Sequence, residues 1–573
     1  MSIVLTNDSN YTAIASSIRS KLGVSTTYLP SEMSGAIDSI PTGSGYSITV
    51  TTSHCTAAST NPTSIGEGNI AELIFTPDAG YELALPTITG ASIRKRSADR
   101  IEIENPTGNV TINIEAIQPD YFWVENVGTS TAYLSDKDGF MYSTDKLNWT
   151  TSTQSLSAGA KIYIKGNIGK TTGSGQTPVP SYGSYKIAIG GNVFTLLDYS
   201  GILEDYDSAC YFMFYNNGCI VDASQLHINK VGELTCTLMF EGCTSLTQAP
   251  SLPITTLGIR CYKEMFKGCT SLVTPPSLPA TTLKEGCYQS MFEGCTSLAT
   301  APSLPATTLT DDCYMSMFVG CTSLTTAPSL PATITTASNG RCYYRMFKGC
   351  TSLTTAPELP STTVSIYSYY EMFYNCTSLA TAPSLPATTL NARCYHSMFY
   401  GCTSLTTAPS LPATTLDVEC YQSMFQNCTS LTTAPTLPAT TLNARCYHSM
   451  FYGCTSLTTA PSLPATTLAQ DCYIAMFYNC TSLTTVPELP ATTLASYCYQ
   501  SMFYNCTSLK VYSTSGEGHD KAWSIPTEGV FSTSTIAGTQ SYMFYGVETD
   551  NVHADFYVEP GRQYTYYTQN QPV

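Results

Sequence analysis

A Met-Phe pair returns through the C-terminal half of this chain at Met239, Met265, Met291, Met317, Met346, Met372, Met398, Met424, Met450, Met476 and Met502. Every step is 26 residues except one of 29, between Met317 and Met346. A unit of this size cannot bury its own apolar face and must stack on its neighbours, so the segment reads as a solenoid of eleven repeats. The three extra residues fall near Thr335-Thr-Ala-Ser338 and are expected to bulge from one loop. Met213 stands in the same register and reads as a degenerate first repeat.

Within one repeat, taken from residue 391 to 416, Cys394, Tyr395, Met398 and Phe399 fall on one stripe if the segment is helical. At helical spacing they span about 140°. Three residues after each Met stands Gly in seven repeats and Asn in four. Both residues accept the left-handed conformation that ends a helix, which predicts a short helix stopping there. Leu405, Ala408, Leu411 and Leu416 supply core along an extended segment. Two proline columns, with Pro302, Pro383 and Pro461 in one and Pro305, Pro386 and Pro464 in the other, cross that segment. Proline gives no ladder hydrogen bond, so very short parallel strands joined by polyproline-like stretches are expected. Strands stack at about 4.8 Å and helices at about 8–10 Å, so the stack is expected to curve with its helices outside.

The pattern Met-Phe-x-Gly/Asn-Cys-x-Ser-Leu, followed by a Leu-Pro segment, resembles the BspA-like class of leucine-rich repeats of bacterial surface proteins over residues 236–509. The unit here is longer and carries a second proline column. The resemblance implies adhesion to host proteins or glycans, not catalysis. Residues 1–42 read as two short amphipathic helices, with Tyr11, Ile14, Ile18 and Leu22 on one stripe and Met33, Ile37 and Ile40 on the other. Tyr11 to Lys21 and Pro30 to Met33 resemble N-terminal segments of phage tail appendage proteins. Two helices this small need a partner to cover their faces, which implies an anchor or oligomerisation element. Analogy with phage fibres favours a trimer.

Residues 46–118 alternate as strands and suggest a small Ig-like β-sandwich, and residues 119–205 suggest a second β module. In the latter, Tyr142-Ser-Thr-Asp145 to Trp149 and Lys161 to Asn167 look like the β module that often precedes such repeats. Residues 206–510 form the solenoid and 511–573 a C-terminal cap or tail. The expected architecture is multidomain and mainly β with short helices. A curved leucine-rich-repeat-like solenoid is preceded by small β-sandwich modules and an N-terminal helical segment.

The 24 cysteines invite a disulfide reading. Eleven follow the Gly/Asn position and nine lie four before the Met, where Ser368 replaces the tenth. The two columns are eight residues apart within a repeat, about 12 Å along a helix, too far for a bond. A ladder of reduced, buried thiols is therefore expected. His396 and His448 sit two before a Met, where a metal site is conceivable, but other repeats carry Lys263, Gln289 or Met315 there and a solvated residue is expected. Asp136-Lys-Asp138-Gly139 reads as a polar turn, since a calcium loop needs further acidic ligands. No cofactor, metal or catalytic residue is expected.

A net charge of −16, with only 25 Lys and Arg, argues against nucleic acid. No apolar run is long enough for a membrane span, and the N-terminus lacks the pattern of a Sec signal. The expected function is a non-enzymatic phage virion appendage, a tail or head fibre that meets a bacterial surface glycan or protein. It would dock on other phage structural proteins through residues 1–42. The alternative is a bacterial cell-surface adhesin, and a glycan depolymerase is a distant third. Receptor contacts are expected at the variable position two after the Met, where Tyr374, Tyr400, Tyr452, Tyr478 and Tyr504 offer exposed rings. That position and the one two before the Met lie about 160° and 200° from the Met on a helix, facing solvent. The plain alternative is that the rings cover neighbouring rungs. Glu358 and Glu488, in a Ser/Thr column of the strand side, are the rival contacts.

Overall fold

A computed structural model describes residues 45–509 and Met543, apart from short internal stretches such as 331–339. The helices expected in 1–42, the bulge near Thr335 and the cap beyond 510 lie outside the described residues, Met543 excepted. The chain divides into two compact bodies, residues 1–120 and 121–573.

The first body holds strands β1 (Tyr46–Ser53), β2 (Cys55–Ala57), β3 (Ser64–Ile65), β4 (Ala71–Pro77) and β5 (Glu82–Leu83). It continues with β6 (Thr87–Thr89), β7 (Ser92–Arg96), β8 (Arg100–Glu104) and β9 (Val110–Ile117). One sheet runs β3-β1-β9-β5, with β6 also on β9, and the other runs β2-β4-β8-β7. Strand alternation places Leu73 and Phe75 of β4, Ile101 and Ile103 of β8, and Val110, Ile112 and Ile114 of β9 in one shared core.

The second body opens with β10 (Phe122–Asn126), β11 (Ala132–Tyr133), β12 (Phe140–Ser143), β13 (Ser155–Leu156), β14 (Lys161–Gly166) and β15 (Ile187–Asn192). Strand β16 (Ile220–His227) lies beside β15 in parallel and completes a sheet of order β12-β14-β10-β15-β16. β16 also belongs to the first rung of the solenoid, because Asp222 bridges Gln248 and His227 bridges Ser251. Phe122 of β10 stacks on Phe214, which lies against Phe240, so the sheet starts the solenoid's phenylalanine column. One hydrophobic core runs from Phe122 to Leu509 and Met543, with no break after residue 205. Lys165, 9 % exposed in this sheet, lays its ammonium against the rings of Trp149 and Tyr199 at 4.2 and 4.7 Å.

The helix expected in each repeat is not formed. In the rung of Met398, alternate backbone N–H groups turn back and cross over. Met398 and Tyr400 donate to carbonyls three residues earlier, at Tyr395 and Ser397. Tyr395, Ser397, Phe399 and Gly401 donate instead to Cys420, Gln422, Met424 and Gln426 of the next rung, at 2.8–3.1 Å. The segment is a run of β-turns cross-linked like a parallel sheet. Arg393, Ser397 and Gly401 all have positive φ, of 56°, 52° and 70°. The left-handed geometry thus returns every fourth residue, not only at the Gly/Asn stop. Cys394, Tyr395, Met398, Phe399 and Cys402 are buried at that same four-residue period. Over eight residues a period of 4 is hardly separable from one of 3.6, which is why the stripe reads as helical.

The other side of the repeat is as short-laddered as its prolines require. Single-residue parallel bridges join Thr381, Thr407 and Thr433, and two-residue strands β17 (Thr389–Leu390) and β18 (Thr415–Leu416) pair in parallel. Hydrogen bonds therefore link successive rungs on both sides. The spacing mismatch between helices and strands, which was the reason to expect curvature, is absent. Phe rings of adjacent rungs stack at 5.5–5.8 Å, as do Tyr rings such as Tyr421 and Tyr447 at 5.9 Å. Such pairs contribute about 0.5–1.5 kcal/mol each beyond their burial. Met213 is a true first rung, since Phe214 N–H bonds to Met239. The last rung described continues the pattern with a residue far ahead: Phe503 N–H donates to the carbonyl of buried Met543, where Met543-Phe-Tyr-Gly546 repeats the motif.

Candidate recognition surface

The turn side of each rung buries its constant residues and leaves the variable ones two before and two after the Met partly exposed, while several five before and one before it, such as Asp312 and Glu371, are buried. Counting from the Met, the positions five before, two before, one before and two after share one face. Around Met346 and Met372 this is direct. Arg345 and Lys348 both reach the Glu371 carboxylate, at 2.9 and 2.6 Å, while the Arg345 guanidinium lies over Tyr344 and the Lys348 ammonium over Tyr374. Burial pushes the Glu371 carboxyl up, but the hydrogen bonds and charges of Lys348 and Arg345 outweigh it and hold the group below its usual range.

All five candidate tyrosines lie on this face and are half-buried. Tyr374 stacks on Tyr400 at 4.3 Å with 4° between planes, and Tyr452, Tyr478 and Tyr504 form a second stack at 4.6 and 4.3 Å. Gln426 occupies the position between the two stacks. Within each stack the rings cover the faces of neighbouring rungs, the plain alternative of the sequence reading. What the column presents is a row of ring edges and hydroxyls. Glu358 and Glu488 are exposed in the column between the prolines, well apart along the solenoid and on different rungs from each other.

His396 and His448 are not solvated side chains. His396 stacks on Tyr370 at 4.7 Å, and burial drives its ring down to about 4, against the pull of Glu419 and Glu371. His448 is lowered too, first by burial. Among the described residues no group of three His, Cys, Asp or Glu is placed to hold a metal. Asp138 and Gly139 form a turn. Asp145 caps another, accepting from the N–H groups of Leu147 and Asn148 at 2.8 Å, and these bonds, with that of the Asn148 amide, hold its carboxyl far below the usual range.

All 24 cysteines are free and buried. In the column after Gly/Asn each thiol donates to the Phe carbonyl of the preceding rung, as Cys402 does to Phe373 at 3.1 Å. Burial pushes these thiols up, Cys243 to about 12, so they are poor nucleophiles. Spacing along the chain relates only cysteines within a repeat. Stacking brings same-column cysteines of adjacent rungs together, and their thiols donate to backbone carbonyls, as Cys420 does to Asp417 and Cys342 to Thr310.

Residues 316–458 and 419–521 match the BspA type leucine rich repeat region, in six copies. This segment carries BspA-type repeats. The matched segment overlaps the turn ladder just described up to residue 509 and includes all five tyrosines. No curated protein matches the chain. No helix among the described residues is long and apolar enough to cross a membrane.

Proposed function

We propose that this chain is a non-enzymatic, adhesin-type surface-binding protein that attaches through the turn face of its solenoid. The observation that supports this is where the repeats differ. The buried Met, Phe and Cys columns barely change, while the column two after the Met passes from Glu241, Lys267 and Glu293 to the stacked tyrosines. A spacer needs uniform rungs, whereas a recognition surface needs chemistry that varies along it. BspA-type repeats, found on cell surfaces, agree with this reading. The receptor is a bacterial surface glycan or protein, and the first body would act as a spacer between the solenoid and its anchor.

The carrier favoured by Tyr11 to Lys21 and Pro30 to Met33 is a phage virion, with residues 1–42 docking a homo-oligomer, a trimer by analogy, onto other phage structural proteins. A bacterial cell surface is the alternative, favoured by the repeats themselves. Changing all five tyrosines to Phe keeps the stacks and removes the hydroxyl row. Attachment of the full chain to bacterial cells should fall at least several-fold, and Glu358→Gln with Glu488→Gln should leave it unchanged. The reverse pattern would move the site to the proline side. Antibody labelling of particles and of cells separates the carriers. Loss of particle incorporation without residues 1–42 is the outcome the virion reading requires.

A further inference from the structure

We infer that a cleft across the rungs of Met317 to Met424 binds an acidic saccharide, a hydroxyl-rich chain bearing carboxylates. This deepens the surface-binding reading and rests on it. The cleft has a volume of about 540 Å³ and is lined by Arg341, Arg345, Arg393 and Glu419 with Tyr344, Tyr367 and Tyr370. Its size is that of a small-molecule site.

The charge in this cleft is layered. Each guanidinium is held by a carboxylate: Arg341 by Asp312 at 2.9 Å, Arg345 by Glu371 at 2.9 Å and Arg393 by Glu419 at 2.6 Å. The three carboxylate side chains are only 13, 10 and 9 % exposed, while the arginines are 44, 37 and 41 % exposed. The acids are buried supports and the cations form the outer layer. In a chain with 41 acidic against 25 basic residues, three arginines converge on one cleft, each matched by a carboxylate set beneath it. A guanidinium already oriented by one carboxylate keeps donors at its outer edge and loses little freedom on meeting a second.

The neutral lining narrows the ligand class. Tyr344, Tyr370 and His396 stack at 4.9 and 4.7 Å, so each covers its neighbour's face and the cleft meets ring edges. Nucleobases need open faces to stack on, whereas sugar hydroxyls bond to edges and phenol groups. A peptide adding as a strand needs free backbone donors. Here Arg345 N–H bonds to Tyr370 and Arg393 N–H to Val418 of the next rung, so this face has no open strand edge at those residues. Carboxylates on a hydroxylated chain remain the chemistry that answers both layers.

The test is calorimetric titration of the full-length chain with oligogalacturonate, with its methyl ester and with poly-glutamate. Oligogalacturonate should bind, salt-sensitively, and at least tenfold more tightly than either of the others. Arg345→Gln with Arg393→Gln should lose at least tenfold. Lys348 still holds Glu371 in that variant, and an unchanged unfolding midpoint verifies the fold. Tyr344→Phe with Tyr370→Phe keeps the stack and should also weaken binding. Absence of binding, equal binding of the ester or of poly-glutamate, or full binding by the Arg variant would overturn the site. If the wild-type chain attaches to cells and the Arg variant attaches equally, the cleft is wrong and the surface reading stands. If the wild-type chain attaches to no cells, the surface reading fails.

Discussion

A serine or an arginine with positive φ costs roughly 1–2 kcal/mol, yet this solenoid places one in almost every rung. Ser397, Glu419 and Arg445 all have φ between 52° and 59°. The cost is offset because the residue's N–H is fixed by the next rung, as Ser397 is by Gln422 at 2.8 Å. The Gly/Asn column has the same geometry without the strain. At Gly294, with φ of 74°, an added Cβ would meet only the Gly268 backbone at 3.6 Å, so conformation and not space is the constraint. Gly294→Val should lower stability by about 1–2 kcal/mol in urea unfolding, and Gly294→Asn by only a few tenths, as Asn375 and Asn427 already occupy this place. Equal losses for both would show that something other than φ selects Gly there. The buried Tyr column gives a second residue-scale expectation. The Tyr343 hydroxyl is buried and has no hydrogen-bond partner among the described residues. Tyr343→Phe keeps the stack with Tyr314 and Tyr369 and removes an unsatisfied group. It should be neutral or stabilising by up to about 1 kcal/mol, and a clear loss would reveal a partner for that hydroxyl.

At the scale of the rungs, the turn ladder should be acid-sensitive for two reasons of the same sign. His396 is held near 4 by burial, below its ordinary 6.5, so the folded state prefers the neutral ring. A depressed group stabilises fully above its unfolded value, and that contribution is lost as pH falls from about 6.5 through about 4. His448 shifts in the same direction. In Glu371 and Glu419 burial raises the carboxyl, but Lys348 and Arg345 in the first, and Arg393 in the second, lower it by more. Their contribution is present above the unfolded value of 4.5 and lost below it. His396→Gln with His448→Gln should flatten the fall in unfolding midpoint between pH 6.5 and 4, because Gln422 and Gln500 fill the same position in other rungs. The steeper fall below pH 4.5 should persist. Parallel profiles for wild type and variant over the upper range would rule out the histidines as its source.

For the whole molecule, the decisive feature is that a stack of open rungs needs its ends covered. The sheet of β10, β12, β14, β15 and β16 covers the first, with Phe122 against Phe214 and a core continuous with the rungs. The first body has a separate core of its own. A chain beginning at Tyr121 should therefore keep the unfolding midpoint of the solenoid. One beginning at Val231 exposes the Met239 rung and should unfold several degrees lower or aggregate. If the two shortened chains melt alike, the sheet is a neighbour and not a cap.

Much of this was legible in the sequence: the period, the first rung at Met213, the buried Met, Phe, Cys and Leu columns, the left-handed Gly/Asn position and the short ladders imposed by proline. These follow from spacing and from residues whose backbone preferences are strong. The turn ladder was not legible. Eight residues cannot separate a four-residue period from a helical one, and the left-handed backbone at Ser397 and Arg393 leaves no mark in their identity. Met543-Phe-Tyr-Gly546 carried a signal that the fixed period hid, because it stands 41 residues after Met502 rather than 26. The surface was decided by stacking alone. The sequence left the five tyrosines either open to a ligand or covering neighbouring rungs, and rungs linked by hydrogen bonds set them face to face in two stacks. The cleft of Arg341, Arg345 and Arg393 gathers residues 52 positions apart in the chain. Only the crossing of one rung over the next sets their guanidinium groups above the carboxylates that orient them.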